Sequence, residues 1–310
     1  MPTLAVSEGR RSACVAVRAA GWRRGGAYLE LGKARLSALV LATTAVGYLL
    51  APRGGAGLDW SRLAWTLVGT GLAILGANAL NEWWEAERDA RMERTRGRPL
   101  PARRLSRAEA LGFGLVCGTA GPVLLAVGVN VHAATLALAA LLIYVLAYTP
   151  LKVRSVLCTL VGAVVGALPP VIGWVAAADG RVGPGAWVLA GILFLWQIPH
   201  FLALAWMYRE DYIRGGFRVL PVIETRGHLT GCVVVTYTLG LLGLTLVPVL
   251  LGLAGWMYGL GAVLLGAGFV ALGAALESTR TRSAARRVFL ASVIYLPLLL
   301  GLMVLDRSAP

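Results

Sequence analysis

Long apolar segments alternate with short polar ones along the whole chain. Nine of the apolar segments are long enough for a helix to cross a hydrocarbon core of about 30 Å. They cover approximately residues 34–52, 62–86, 108–129, 131–149, 156–178, 184–207, 229–250, 253–275 and 287–305. The pattern predicts an all-α, polytopic membrane protein with about nine transmembrane helices.

No soluble domain or low-complexity linker interrupts these segments, so we predict one intramembrane domain over residues 31–307. Residues 1–30 are predicted to form an N-terminal tail on the cytoplasmic side. Residues 1–27 carry five arginines against one acid, Glu8, but lack the apolar run of a secretory signal. A mitochondrial transit peptide is the alternative interpretation of this segment.

Composition supports the membrane assignment and charge orients it. The chain is 58% hydrophobic and 14% charged, with a formal net charge of +14. Of its 29 lysines and arginines, 25 fall before the first segment or in alternate connections on one side, and four fall on the other. Basic loops stay in the cytoplasm, which predicts an inner-membrane protein with its N-terminus inside and its C-terminus outside. Because the basic residues separate spans, a nucleic-acid partner is not expected.

The four cysteines, Cys14, Cys117, Cys158 and Cys232, are scattered along the chain without a Cys-x-x-Cys pair. We therefore predict neither a disulfide framework nor a zinc site. The three later cysteines lie in apolar segments, where packing as small apolar side chains is the expected role.

The end of the second segment is where an apolar helix acquires amides and carboxylates. At about 100° per residue, Asn81, Glu85 and Asp89 fall within roughly 80° of one another, and Asn78 and Glu82 border the same face. Carboxylates stacked in this way near a membrane need a compensating positive charge. Oxygen ligands suit Mg²⁺, which binds through one or two carboxylates and substrate phosphates.

Two interpretations of this acidic face are open. The acids could pair with nearby arginines in a solvated helix end. Alternatively, the arginine-rich stretch 91–98, which includes Arg94 and Arg98, places phosphate donors beside a metal site. The second interpretation predicts a magnesium-diphosphate site.

A second polar element follows the sixth segment. If that segment continues as a helix past Pro199, His200 and Asp211 fall within roughly 20° of one face and about 16 Å apart along the axis. An intramembrane histidine is a functional candidate, with a hydrogen-bonded packing role as the alternative. An ion pair with Arg209 or Arg214 is the structural alternative for Asp211. The loops at about 87–107 and 208–228 are predicted to cap one cavity on the cytoplasmic side.

Four motifs, in order over about 150 residues, resemble those of protoheme IX farnesyltransferases (haem O synthases) in the UbiA-type intramembrane prenyltransferase superfamily. They are 78–99, Tyr148-Thr149-Pro150-Leu151-Lys152, 162–174, and Trp196-Gln197-Ile198-Pro199-His200-Phe201 leading to Glu210-Asp211-Tyr212. The acidic motif of that family usually has Asp where this chain has Glu82 and Glu85, and this departure puts individual ligands in doubt.

The resemblance implies a UbiA-like helical bundle with two cytoplasmic loop caps that transfers a farnesyl group from farnesyl diphosphate to haem b, giving haem O. It implies Mg²⁺ as cofactor, held with the diphosphate by Asn81, Glu85, Asp89, Asp211 and Glu210. It assigns diphosphate binding to Arg94, Arg98 and Lys152, and haem binding to His200 and Trp196. Association with haem A synthase or with terminal oxidase assembly is also implied.

Two other functions fit some of the same residues. A prenyltransferase acting on a phenolic acid or quinone precursor would need the same carboxylates, but not Trp196 to His200. A secondary transporter could use acids, a histidine and broken helices as an ion pathway. Consumption of farnesyl diphosphate separates the enzymes from the transporter.

Overall fold

The computed structural model describes residues 24–52 and 57–307, and in these ranges the chain is helical without strands. Eight helices there have the length and apolarity to cross a membrane. A ninth span is present if Arg24–Leu31 and Ala34–Leu50, which meet at a bend of 50°, are taken together. The predicted all-α membrane architecture is confirmed.

We number the nine long helices in chain order. They are α1 Ala34–Leu50, α2 Trp60–Asp89, α3 Arg107–Gly128, α4 Val131–Leu151, α5 Cys158–Ala177, α6 Pro184–Met207, α7 His228–Leu250, α8 Trp256–Thr279 and α9 Arg282–Leu305. Each matches a predicted segment to within a few residues at its ends, except at the start of α9. That helix begins five residues before the predicted position 287, because Thr281 caps it by accepting a hydrogen bond from the backbone of Ala284.

Close contacts between small residues hold the helices in place. A Cβ atom on Gly76 of α2 would lie 2.6 Å from the Cα of Gly118 on α3, and one on Gly47 of α1 would overlap the carbonyl of Pro170 on α5. Consecutive helices pack together, α5 also contacts α1, and α9 contacts both α6 and α1. These last contacts join the two ends of the chain and close the bundle.

Two long connections lie at the same end of the bundle, which we call the loop face. The first loop covers residues 90–106, and the second, 208–227, contains the short helices Arg209–Arg214 and Leu220–Ile223. Backbone contacts couple the second loop to the end of α4, since Arg218 N donates to Lys152 O at 2.7 Å. The loop face therefore carries a continuous cap over the helix ends.

Helix Arg24–Leu31 precedes α1 and is part of the packed structure. Ala27 and Leu31 are buried against Ala79 and Ala86 of α2 and against the first loop. The predicted tail boundary at residue 30 falls inside this helix, so residues 24–30 belong with the domain. The rest of the predicted tail lies outside the described residues.

The last part of α4 departs from regular α-helix. Residues Ile143–Tyr148 form a π-helical turn, in which the backbone N–H of Thr149 reaches the carbonyl of Tyr144. The Thr149 hydroxyl donates to the same carbonyl at 2.8 Å. Such a turn fits one extra residue into the helix and often marks a functional site. Tyr148 is the last residue of this turn, and Thr149 and Lys152 come after it in the chain.

Candidate active site

A chamber of about 90 Å³ lies beneath the two loops at the loop face. Its walls come from the ends of four long helices and from both loops. The lining residues are Lys33, Asn81, Glu85, Asp89, Met92, Arg94, Arg98, Tyr148, Lys152, Cys158, Thr159, Gly162, Phe201, Ala205, Tyr212, Phe217 and Val219. Of the sequence-predicted site residues, the structure brings six together here: Asn81, Glu85, Asp89, Arg94, Arg98 and Lys152.

The polar face of α2 supplies the oxygen atoms of the chamber. Asn81, Glu85 and Asp89 are each less than 5% exposed, although all three are polar. Their spacing of four residues puts them on one helix face, as the sequence predicts. Burial of two carboxylates is costly without opposite charge, so their partners decide what the site can do.

A basic side chain approaches each of these three side chains. Lys152 Nζ lies 2.9 Å from Glu85 Oε1 and 3.0 Å from Oε2, and Arg98 Nη1 lies 2.6 Å from Asp89 Oδ2. Lys33 Nζ donates to Asn81 Oδ1 at 3.1 Å. The chamber thus holds side-chain oxygen atoms and basic side chains in alternation.

The pairs with Glu85 and Asp89 stabilise the charges of Lys152 and Arg98. Burial opposes the charge of Lys152, but the carboxylate of Glu85 and the neighbouring tyrosines raise its pKa above the ordinary value. Burial likewise opposes the charge of Arg98, while its contact with Asp89 raises its pKa. Both side chains remain cations at neutral pH.

Arg94 is positioned differently from the other cations. Its guanidinium carbon lies 5.4 Å from the ring centre of Tyr208 and 6.0 Å from that of Tyr212. Within the described ranges it makes no ion pair with a carboxylate. Aromatic contacts hold a guanidinium while leaving its N–H donors available, so Arg94 presents free donors to the chamber.

The two border residues of the acidic face have structural contacts. Asn78 Nδ2 donates to Gly32 O at 3.1 Å and so holds the bend before α1. Glu82 Oε1 accepts from the backbone N–H of Leu100 at 3.3 Å, which attaches the first loop to α2. Neither residue is among those that line the chamber.

Asp211, in the second loop, contacts the first loop and is not among the residues that line the chamber. Its carboxylate accepts hydrogen bonds from the backbone N–H groups of Glu93 and Arg94, at 3.1 and 3.3 Å, and from Arg214 at 2.6 Å. Burial opposes ionisation, but these donors together lower the pKa of Asp211 below its ordinary value. Glu210, beside it, is exposed.

His200 and Asp211 do not share one helix face, contrary to the geometry that a continuous helix predicts. Helix α6 passes through Pro199 but ends at Met207, and Tyr208 leaves helical geometry with φ −112° and ψ 29°. Arg209–Arg214 then starts a separate short helix. The two residues consequently face different neighbours.

His200 and Trp196 belong to α6, and their side chains pack against α9. Their rings are stacked with centres 4.9 Å apart, and the His200 ring also contacts Phe289 at 4.9 Å. Trp196 Nε1 donates to the carbonyl of Ser292 at 2.8 Å, and His200 Nδ1 lies 2.7 Å from the Ser292 hydroxyl. One residue of α9 therefore orients both aromatic side chains.

These contacts favour one tautomer of His200. Phe289 O lies 2.6 Å from the Ser292 hydroxyl and can only accept, so a hydroxyl that donates to it leaves its oxygen to accept from His200. In that arrangement Nδ1 carries the proton, and the lone pair is on Nε2. Phe201, the next residue, lines the chamber, which places this aromatic group beside the chamber wall.

Lys33 is a site residue that the sequence did not single out, and Thr149 was noted there only as part of a motif. Lys33 adopts the left-handed conformation (φ 52°) at the bend between Arg24–Leu31 and α1. Thr149 accepts from Asn81 Nδ2 at 3.0 Å and orients the amide so that Oδ1 faces Lys33. A lone lysine beside Gly32 before an apolar segment was the available signal, but it reads equally as an interfacial anchor.

The donor set fits a magnesium ion. All three candidate ligand side chains on α2 offer oxygen, the atom that Mg²⁺ prefers. Glu85 Oε1 is buried and accepts no hydrogen bond, so its contact with Lys152 is electrostatic. Asn81, Glu85 and Asp89 would hold the ion, and the surrounding cations would face its phosphate ligands.

A bundle of membrane-spanning helices with a chamber of carboxylates and cations under a cap has the architecture of an intramembrane prenyltransferase. Comparison with known proteins identifies the family within that class. The chain belongs to the UbiA prenyltransferase family, whose family model matches residues 40–295. Membership establishes an enzyme and sets aside the transporter interpretation.

One similar relative is "Protoheme IX farnesyltransferase" from Solibacter usitatus, 46% identical over 90% of this chain and 98% of its own length. Among solved structures, a digeranylgeranylglyceryl phosphate synthase superimposes with a TM-score of 0.76 at 18% identity, covering 91% of this chain and 98% of the other. A UbiA homolog from Archaeoglobus fulgidus bound to DMAPP and Mg²⁺ gives 0.67 at 14% identity, with coverages of 89% and 98%. Both likenesses confirm the fold.

Proposed function

We propose that this chain transfers a farnesyl group from farnesyl diphosphate to a vinyl group of haem b and so forms haem O. The 46% identity to a protoheme IX farnesyltransferase over nearly its full length is the observation that carries this proposal. The chamber supports it, because oxygen ligands and cations meet at one end of a membrane bundle. Family membership alone would leave the acceptor open.

Asn81, Glu85 and Asp89 are proposed to hold Mg²⁺ together with the diphosphate. Each now faces a basic side chain, and these basic side chains are the groups that a diphosphate would attract. Lys152 and Arg98 would turn from carboxylate to phosphate oxygens as the substrate binds, and Lys33 would follow. Arg94 already presents its donors, so it needs no exchange of partner.

Asp211 and Glu210 form the second acidic element of the proposal. Direct metal binding by Asp211 would require it to leave the three donors that it now accepts from. In the conformation described here, Asp211 acts as a positioning residue, since it fixes the backbone of Arg94. Glu210 is exposed and available at the mouth of the cap.

The reaction begins with cleavage of the allylic carbon–oxygen bond, whose electron pair leaves with the diphosphate. When bound, Mg²⁺ supplies charge neutralisation for that leaving group. Arg94, Arg98, Lys152 and Lys33 stabilise the developing negative charge in a buried site, where such contacts are strong. The π electrons of a haem vinyl group form the new carbon–carbon bond, and water adds to the resulting cation and loses a proton.

His200 and Trp196 are proposed to position the haem. With Nδ1 protonated towards Ser292, the Nε2 lone pair is the one available to haem iron. The stacked indole offers a flat apolar surface for the porphyrin.

The membrane location follows from the apolar helices. We propose that the loop face is cytoplasmic, because both basic loops lie there, which places the N-terminus inside and the C-terminus outside. A bacterial inner membrane is the proposed site, with the mitochondrial inner membrane as the alternative. Association with haem A synthase or terminal oxidase assembly stays a prediction.

The test uses membranes containing the chain, incubated with haem b, farnesyl diphosphate and Mg²⁺, with the haem products separated by mass. Prenylated haem is expected from the unmodified chain and not from Glu85→Gln. Glu87→Gln is the matched control, since Glu87 lies on the same helix, is 80% exposed and pairs with Arg107. Prenylation of a phenolic acid in place of haem would contradict the proposed acceptor.

A further inference from the structure

A second cluster of polar side chains lies at the loop face, outside the chamber. His228 and Cys232 occupy the first two turns of α7, and Glu277 lies near the end of α8. The ligand atoms of the three side chains all lie within 4.8 Å of one another. The prediction of no zinc site rested on the absence of a Cys-x-x-Cys pair, a pattern that takes no account of a glutamate far along the chain.

The fold brings these three side chains together at a fixed crossing of two helices. His228 and Cys232 are four residues apart, so they share one face of α7. A Cβ atom on Gly231 would lie 2.6 Å from the Cα of Glu277, which means that the two helices touch there without intervening side chains. The close approach fixes Glu277 opposite the imidazole and the thiol.

The present contacts of His228 conflict with one another. Nδ1 lies 3.0 Å from Glu277 Oε1, which requires a proton on the nitrogen, and 3.3 Å from Arg280 Nη2, which requires a lone pair. One nitrogen atom cannot satisfy both contacts at once. A metal cation in place of the guanidinium would satisfy the imidazole lone pair, the thiolate and the carboxylate together.

Arg280 can leave the cluster without loss of a buried contact. It caps the end of α8 with a left-handed backbone (φ 51°), and its side chain is 40% exposed. Its ion pair with Glu277 is a surface contact at 3.4 Å, of the kind that contributes little stability. The guanidinium is therefore a displaceable competitor of a metal.

We propose that His228, Cys232 and Glu277 form a site for a divalent transition metal, of which Zn²⁺ is the best match. One nitrogen, one sulfur and one carboxylate oxygen are the mixed donors that Zn²⁺ accepts, and three protein ligands leave one position to water. Cys232 binds as the thiolate and releases its proton to solvent. The metal ties the start of α7, directly after the second loop, to the end of α8.

The test measures Co²⁺ binding to the purified full-length chain with excess Mg²⁺ present, without a polyhistidine tag and in a Cys14→Ser background. Expected are one Co²⁺ per chain, a thiolate-to-cobalt charge-transfer absorption, and competition by Zn²⁺. Cys232→Ser should abolish that absorption, and Cys232→Ser, His228→Ala and Glu277→Gln should each weaken binding about tenfold or more. His132→Ala, which removes an exposed histidine elsewhere, is the control and should change nothing.

Arg280→Gln is expected to change the Co²⁺ affinity in the opposite direction. It keeps all three ligands and removes the competing cation, so Co²⁺ affinity should rise several-fold. An ion-pair cluster without a metal role predicts no saturable binding, or an affinity that neither Cys232→Ser nor Arg280→Gln changes. Either result would overturn the proposal.

Discussion

Asp211 Oδ2 accepts a hydrogen bond from the backbone N–H of Arg94 at 3.3 Å, across the boundary between the two loops of the cap. Its other oxygen accepts from the backbone of Glu93 at 3.1 Å. One carboxylate thereby holds the segment that carries a phosphate-binding arginine. Hydrogen bonds to a charged group each contribute about 1.5–3 kcal/mol.

Asp211→Ala should loosen the first loop and increase its cleavage by a protease under native conditions. We expect the KM for farnesyl diphosphate to rise about tenfold or more, since Arg94 is no longer fixed. Glu210→Gln alters the exposed neighbouring acid and should leave the cleavage rate unchanged. An intact, protease-resistant loop in Asp211→Ala would mean that the contact does not hold the cap.

Lys33→Met should lower the rate of prenyl transfer by about 10²-fold, the usual cost of removing one group that stabilises a developing anion. The measurement is kcat with both substrates saturating, compared with Arg35→Gln, which neutralises an exposed cation two residues away. Equal rates for the two variants would show that the Lys33 contact with Asn81 is structural.

Breaking the pair of Glu85 and Lys152 should separate stability from activity. The two side chains are 5% and 15% exposed, so Lys152→Met leaves a buried carboxylate uncompensated, which costs about 3–5 kcal/mol. Adding Glu85→Gln to Lys152→Met should restore most of the thermal stability in detergent without restoring turnover. A double variant as unstable as Lys152→Met would contradict the assigned partnership.

Ser292→Ala should impair the use of haem without affecting farnesyl diphosphate. The variant removes the hydroxyl that fixes the His200 tautomer but keeps the carbonyl that Trp196 donates to. The KM for haem should rise about tenfold, in the range for loss of a group that orients a ligand. Ser292→Thr retains a hydroxyl and should keep the KM for haem close to that of the unmodified chain. A parallel rise in the KM for farnesyl diphosphate in Ser292→Ala would indicate a general packing defect.

The sequence predicted the spans and the acidic face of α2 because both depend on local periodicity. Within one unbroken helix, a spacing of four residues fixes which side chains share a face, so Asn81, Glu85 and Asp89 meet as expected. The same periodicity did not predict that the side chain of Glu82 points away from the chamber and accepts from the backbone N–H of Leu100. That contact depends on the path of a loop, which periodicity does not specify.

Periodicity also failed where a helix ends. The prediction for Asp211 assumed that α6 continued beyond Met207, and the break at Tyr208 changes the direction of every later side chain. Lys33 was missed for a similar reason, since its left-handed backbone turns the side chain towards Asn81, 48 residues away. Contacts made after a break or between distant segments need the folded structure.

The π-helical turn of Ile143–Tyr148 gives α4 one residue more than a regular helix of the same register would hold. Removing one residue there would leave a regular helix whose two ends still face the same way. Removing one residue from a regular part of α4 would instead rotate the residues beyond it by about 100°. The ammonium of Lys152 would then swing away from α2 although no chamber residue had been replaced. Segment 143–148 is therefore the part of α4 in which the length of the chain can change while the chamber is kept.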